Sequence, residues 1–141
     1  MYNFLLHAHS GLRYLILLAA AIVIVKSVIG WFGNTSYSKF DKIIAPAYVG
    51  LMHLQLLIGL LLYFIYSPFV TYNMGEKVSR YWSVEHLAMM VLAVVAAQVG
   101  RSISKKSSDA QVKFRFQTIF FGLSILLILV ALALMPGRSI L

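Results

Sequence analysis

Four long apolar runs determine what this chain can fold into. They cover approximately residues 4–26, 43–67, 82–101 and 115–135 of a 141-residue sequence. Each is close to the roughly 20 helical residues that cross a bilayer. A strand with a free edge would leave backbone groups unsatisfied in lipid, so each run is predicted to be a transmembrane helix. We therefore expect an all-α protein with a single transmembrane domain and the lipid bilayer as its surroundings.

The composition agrees with this prediction. Hydrophobic residues make up 61% of the chain and charged residues 11%, whereas a soluble domain is about half apolar and about a quarter charged. The net charge of +8 is not accompanied by a recognition motif, so we expect no nucleic-acid partner. The chain has no cysteine, which excludes disulfides, thiolate metal sites and thioether attachment of haem.

Short polar connections at 33–42, 67–81 and 102–115 predict antiparallel neighbours and hence an up-down four-helix bundle. Basic residues are concentrated around the first and third connections, which the positive-inside rule places in the cytoplasm, with both termini on the extracytoplasmic side. Tyr81 and Trp82 are then expected at the outer interface, and Trp31 with the aromatic residues of 114–121 at the inner one. The eight basic residues of the inner side are Lys26, Lys39, Lys42, Arg101, Lys105, Lys106, Lys113 and Arg115, and the three of the outer side are Lys77, Arg80 and Arg138.

Histidines inside the apolar runs form the candidate site, because ionisable side chains are costly in a membrane. His9, His53 and His86 lie in three different runs. Counting from the basic border at about 1.5 Å per residue puts His9 about 25 Å, His86 about 22 Å and His53 about 16 Å from that border. His9 and His86 are therefore predicted at similar depth in the outer half, with His53 nearer the midplane.

Helical phase separates these side chains further. His9 and Arg13 share one face at i, i+4, while His7 points nearly the opposite way. Gln55 and Gly59 share a face that excludes His53. Gly50, Gly59 and Gly100 are predicted to be close-packing points between helices. The fourth run has few polar residues and is predicted to be a supporting helix; they are Gln117, Thr118 and Ser124.

Two neutral imidazoles on facing membrane helices can ligate a haem iron axially. His9 with His86 is the preferred pair, and His53 with His86 is the second choice. Arg13 and Arg80 are candidates for binding the haem propionates through their planar guanidinium groups. Side chains expected to orient the ligands from outside the coordination sphere are Glu85, Gln55 and His7.

Three alternatives stay open. His9, His53 and His86 with Glu85 could bind zinc or copper instead, although no HxxxH or HExxH spacing is present. The same residues with Gln55 could handle protons or a quinone. Finally, each histidine could only bridge helices by hydrogen bonds. The chain would then be a non-catalytic accessory subunit or assembly factor of a larger membrane complex.

Three segments carry a resemblance to a known group. They resemble segments of small four-span bacterial membrane proteins labelled cytochrome b-like. The segments are His-Ala-His-Ser-Gly-Leu-Arg-Tyr at 7–14, His-Leu-Gln-Leu-Leu-Ile-Gly-Leu at 53–60, and Glu-His-Leu-Ala-Met-Met at 85–90, followed by Gly100-Arg101. The resemblance implies a multi-pass b-type haem protein of the bacterial cytoplasmic (inner) membrane, linked to respiration through electron transfer. A quinone, a respiratory complex or a second copy of the chain is the expected partner. The functional candidates it carries over are His9, Arg13, His53, Glu85 and His86.

Overall fold

The computed structural model describes residues 2–66 and 85–134, and this part of the chain is helical except for the connections at 34–38 and 107–109. Helix α1 spans Tyr2–Gly33, α2 spans Lys39–Leu61, α3 spans His86–Lys106 and α4 spans Ala110–Leu134. A π-helical turn, Leu62–Tyr66, continues α2. Within these residues, four helices are long and apolar enough to cross a membrane. The chain therefore has the build of a multi-pass membrane protein, as the apolar runs predicted.

Local polar residues set the helix ends, and the helices run past the apolar stretches. After α1, Asn34 adopts a φ of 56°, the left-handed conformation that commonly closes a helix. Ser38 and Asp41 then form a reciprocal capping box at the start of α2, which satisfies amides that have no partner within the helix. Asp109 accepts a hydrogen bond from the Gln111 amide at 2.9 Å before α4. The connections shrink to residues 34–38 and 107–109, so the bordering lysines and arginines lie on helices.

The helices pack through small residues in the core. Helix α1 contacts α2 and α4, α2 contacts α3, and α3 contacts α4. Ala20, Ala45, Ala93 and Ala97 are fully buried, and such small side chains let helix backbones approach closely. The outward surface instead carries large apolar side chains, as lipid contact requires. Examples are Leu18, Val25, Leu57, Leu92 and Leu126.

Aromatic rings fill the space between the small residues. Tyr48 and Phe121 are fully buried, with ring centroids 5.1 Å apart, and the Tyr48 hydroxyl lies 2.5 Å from Ser124 Oγ. Phe114 is also fully buried and packs against Tyr37. Phe114 and Phe121, two of the aromatic residues predicted to mark the inner interface, therefore pack inside the bundle and do not face outward. Their helical phase turns them towards α1 and α2 instead.

Four polar side chains, Ser27, Tyr37, Ser104 and Gln117, form a buried polar network at one end of the bundle. Gln117 is 1% exposed. Its Oε1 accepts from Ser27 Oγ at 2.9 Å, while its Nε2 donates to the Tyr37 hydroxyl at 2.5 Å and to Ser104 Oγ at 3.1 Å. The network joins α1, the 34–38 connection, α3 and α4, so Gln117 does more than the supporting role predicted for its helix.

Candidate functional site

At the other end of the bundle, a cavity of about 280 Å³ lies between the helices. The start of α1, the end of α2, the start of α3 and the end of α4 form its walls. Small-molecule sites have volumes of about 300–1,000 Å³ and are mostly apolar with a few converging polar groups. This cavity is just below that size range and fits the description. Its polar lining includes His9, Arg13, Gln55 and His86, and its apolar lining includes Met52, Met90, Ile128 and Leu132.

His9 and His86 face each other across this cavity. Their ring centroids are 6.3 Å apart, and the ring planes are inclined at 73°. Two metal–nitrogen bonds of about 2 Å each, extended by the distance from nitrogen to ring centre, separate two imidazole centres by about 6 Å. At the observed separation, His9 and His86 could both hold one metal ion placed between them.

Helix α2 holds His9 in position from the side. Gln55 Nε2 donates to the His9 carbonyl oxygen at 2.7 Å. A Cβ atom on Gly59 would lie 3.1 Å from His9 Cε1, which is closer than ordinary van der Waals contact. The absence of a side chain at Gly59 thus lets the imidazole lie directly against the α2 backbone.

Three buried polar atoms around the cavity have no hydrogen-bond partner in the part of the chain that the structure describes. They are His9 Nδ1, Arg13 Nε and Gln55 Oε1. Most buried polar atoms in proteins are satisfied, and leaving one unsatisfied costs about 1–3 kcal/mol. All three atoms belong to residues that line the cavity, so a polar or charged ligand group there would offer them hydrogen-bond partners. The Arg13 guanidinium donates to the Tyr14 hydroxyl at 3.3 Å and lies 5.1 Å from the centre of the Tyr14 ring.

Of the remaining predicted residues, those that the structure describes do not line the cavity. His53 is exposed, and its Nε2 donates to Gln98 Oε1 at 2.8 Å, so the structure does not bring His53 opposite His86. His7 is exposed on the outer face of α1. Glu85 is half-buried directly before α3. Arg80, together with Lys77, Tyr81 and Trp82, lies outside the described residues.

The donor set fits two nitrogen ligands better than a bare metal site. Among residues 2–66 and 85–134, no three His, Cys, Asp or Glu side chains come together in a group that could hold a metal ion. The zinc or copper alternative relied on three histidines, and His53 lies away from the other two. A haem needs only two protein ligands, because its own nitrogens supply the other four.

Sequence reasoning missed two residues of interest. Gln98 bonds to His53 and donates through Nε2 to Ser102 Oγ at 3.1 Å. As the one amide in the apolar run 82–101, it was detectable. Tyr63 lines the cavity from the π-helical turn after α2. No sequence pattern revealed it, because its position depends on how that turn is wound.

Comparison with protein-family models, with curated proteins and with solved structures returns no match.

Proposed function

We propose that this chain is an integral membrane electron-transfer protein that binds one b-type haem, whose iron His9 and His86 would hold. The observation that carries the proposal is the 6.3 Å separation of the two imidazole rings across an apolar cavity. A quinone or a respiratory complex in the same bacterial cytoplasmic membrane is the proposed electron partner.

The polar side chains and the apolar walls of the cavity have different roles in this proposal. His9 and His86 would each hold the iron through one ring nitrogen. Gln55 on α2 bonds to the main-chain oxygen of His9, and Gly59 on α2 lies against the His9 ring. Arg13 would bind a propionate carboxylate of the haem through its planar guanidinium group. The apolar walls exclude water, which is one of the means by which a protein sets a redox potential. A bound haem supplies the one-electron chemistry that no side chain here provides.

The proposed topology is an up-down bundle with both termini on the extracytoplasmic side. The short connections at 34–38 and 107–109 support antiparallel neighbours. The polar network supports them too, because it links Ser27 near the end of α1, Ser104 near the end of α3 and Gln117 near the start of α4. The basic residues around this end favour the cytoplasmic side for it. The haem cavity then lies in the outer half of the membrane.

An optical spectrum of detergent-purified protein from cells supplied with a haem precursor tests this function. We expect a Soret band, with an α band that sharpens on addition of dithionite. His9→Ala and His86→Ala should each abolish both bands, because either change removes one of the two nitrogens that would hold the iron.

His7→Ala and His53→Ala are the matched controls, since each removes an imidazole that lies outside the cavity. Both should retain the bands of the unmodified protein. Size-exclusion elution and helical circular dichroism show whether the variants are folded. A featureless visible spectrum of the unmodified protein, or full haem retention in folded His86→Ala, would overturn the proposal.

A second candidate function is that of an accessory subunit, and the His53–Gln98 pair favours it. Both side chains are exposed near the middle of their helices, on a surface otherwise suited to lipid. Polar groups in such a place commonly hydrogen-bond to a neighbouring helix, here that of a second copy or another subunit.

Because the chain has no cysteine, Gln98→Cys tests contact with a second copy by oxidative cross-linking. Cross-linking at position 98 but not in Leu129→Cys supports a homodimer through this face, and equal cross-linking at both positions contradicts it.

A further inference from the structure

Three cations from three helices lie at the end of the bundle that contains the polar network. Lys113 Nζ on α4 donates to the Ser104 carbonyl oxygen at 3.1 Å and lies 5.1 Å from the Tyr37 ring centroid. Arg101 lies one helical turn before Ser104 on α3, and the Lys42 amide at the start of α2 donates to the carbonyl oxygen of Ser38, next to Tyr37. Both residues therefore lie at the same end of the bundle as Lys113. Lys113 is thus held by two contacts while two further positive charges lie nearby.

These three cations have no acidic partner within residues 2–66 and 85–134. Two acids lie at this end of the bundle. Asp41 is 2% exposed, its Oδ2 accepts from both the amide and the hydroxyl of Ser38 at 2.8 Å, and its Oδ1 lies 3.7 Å from Lys26 Nζ. Asp109 precedes Lys113 by one turn, and its Oδ1 accepts from the Gln111 amide at 2.9 Å. Both carboxylates therefore cap helices, and neither forms an ion pair with Lys42, Arg101 or Lys113.

Fixed geometry distinguishes this group from ordinary border lysines. Lysines at the cytoplasmic end of a membrane helix usually extend freely into water, as the exposed Lys105 and Lys106 do. Lys113 instead is half-buried between a carbonyl and an aromatic ring. Arg101 is half-buried as well, and its planar guanidinium group suits bidentate binding of phosphate oxygens.

We propose that Lys42, Arg101 and Lys113 bind the phosphate of an anionic phospholipid head group. Basic pockets between membrane helices are established sites for such head groups. The surroundings favour a lipid over free phosphate, because exposed apolar side chains flank the cations along the helices. Ile43 follows Lys42 and is 57% exposed, and Ile119 lies further along α4 from Lys113 and is 48% exposed. One molecule with an anionic head and apolar chains satisfies both features.

Native mass spectrometry of the protein released from mixed micelles tests the site. The probes are phosphatidylglycerol, phosphatidylcholine of the same chain length, and inorganic phosphate. We expect selective retention of phosphatidylglycerol, weakened about fivefold by each of Lys42→Gln, Arg101→Gln and Lys113→Gln. Lys42→Gln is the safest variant, because Lys42 is exposed and its side chain makes no contact with the polar network.

Lys105→Gln and Lys106→Gln are the matched controls, since each removes one positive charge at the same end of the bundle. Both should retain phosphatidylglycerol like the unmodified protein. Equal losses in the controls and in Lys42→Gln would overturn the proposal in favour of general surface charge. Equal retention of both lipids would also overturn it, and inorganic phosphate displacing the lipid fully would reassign the site to a free anion.

Discussion

At the scale of single residues, the His9 imidazole depends on a glycine of the neighbouring helix. Gly59→Ala places a methyl group 3.1 Å from His9 Cε1, so the ring must move by a few tenths of an ångström. Under the proposed function, we expect haem to be retained while the midpoint potential and the reduced α band shift. A potentiometric titration followed at the α band measures both changes.

Gly50→Ala is the control for this substitution on the same helix. A Cβ atom there would meet nothing within 4 Å, so the spectrum should not change. Alanine in place of a helical glycine stabilises by about 0.5–1 kcal/mol, and Gly50→Ala should therefore raise the unfolding temperature more than Gly59→Ala does. An equal potential shift in both variants would show that the contact with His9 is not the cause.

Some of this site was accessible from the sequence. The i, i+4 spacing of His9 and Arg13 and the matched depth of His9 and His86 both follow from regular helix geometry. Helix geometry cannot say which face of α2 packs against α1, so the sequence alone could not exclude His53 as a ligand. In the structure, the Gln55 face of α2 lines the cavity and the His53 face does not. Equally, a side-chain bond to a main-chain oxygen, such as Gln55 to His9, leaves no sequence pattern. Gly59 and Gly100 pack closely as predicted, whereas Gly50 does not, because only the position of a neighbour decides this.

At the scale of elements, the 34–38 connection is fastened to the helices by Tyr37. Its hydroxyl accepts from Gln117 and donates to the Asp41 carbonyl oxygen at 3.2 Å. Burial raises the pKa of Tyr37 above the ordinary tyrosine value, and this outweighs the opposing effect of the hydrogen bond from Gln117. The unfolded chain therefore loses the Tyr37 proton at lower pH than the folded chain does.

The resulting stability contribution of Tyr37 has a defined pH dependence. It is fully present below the unfolded pKa of about 10 and is lost as pH rises through the folded pKa. We expect the unfolding temperature of the detergent-purified protein to fall more steeply above about pH 10 than that of Tyr37→Phe. Tyr14→Phe serves as the control, because Tyr14 is 47% exposed. If Tyr37→Phe and the unmodified protein lose stability in parallel, Tyr37 is not the titrating group.

Helix existence and helix ends depend on different signals. The apolar runs predicted all four helices, because each is the length that lipid demands. They could not give the ends, since Ser38 and Asp109 cap α2 and α4 outside the apolar stretches. Hydropathy therefore gives the extent of the apolar stretch rather than the end of the helix. The sequence could not predict the hydrogen bonds of Gln117 either, because its three partners come from other parts of the chain.

At the scale of the whole molecule, the two proposed sites lie at opposite ends of the bundle, so their sides of the membrane matter. The absence of cysteine allows each end to be tagged with a single thiol at an exposed position. Under the proposed topology, a membrane-impermeant thiol reagent applied to intact spheroplasts should label Asn3→Cys. It should label Ser36→Cys and Ser108→Cys only after permeabilisation, because both connections then face the cytoplasm.

The pattern of labelling separates topology from orientation. Ser36→Cys and Ser108→Cys labelled on one side, with Asn3→Cys on the other, require antiparallel neighbours whichever side faces the cytoplasm. If the sides are exchanged, the antiparallel bundle is retained, but the orientation predicted from the positive-inside rule is wrong. The proposed haem cavity then lies in the inner half of the membrane. Labelling of Ser36→Cys and Asn3→Cys from the same side would mean that α1 does not cross. His9 would then no longer lie within the bilayer opposite His86, and the proposed haem site would lose its basis.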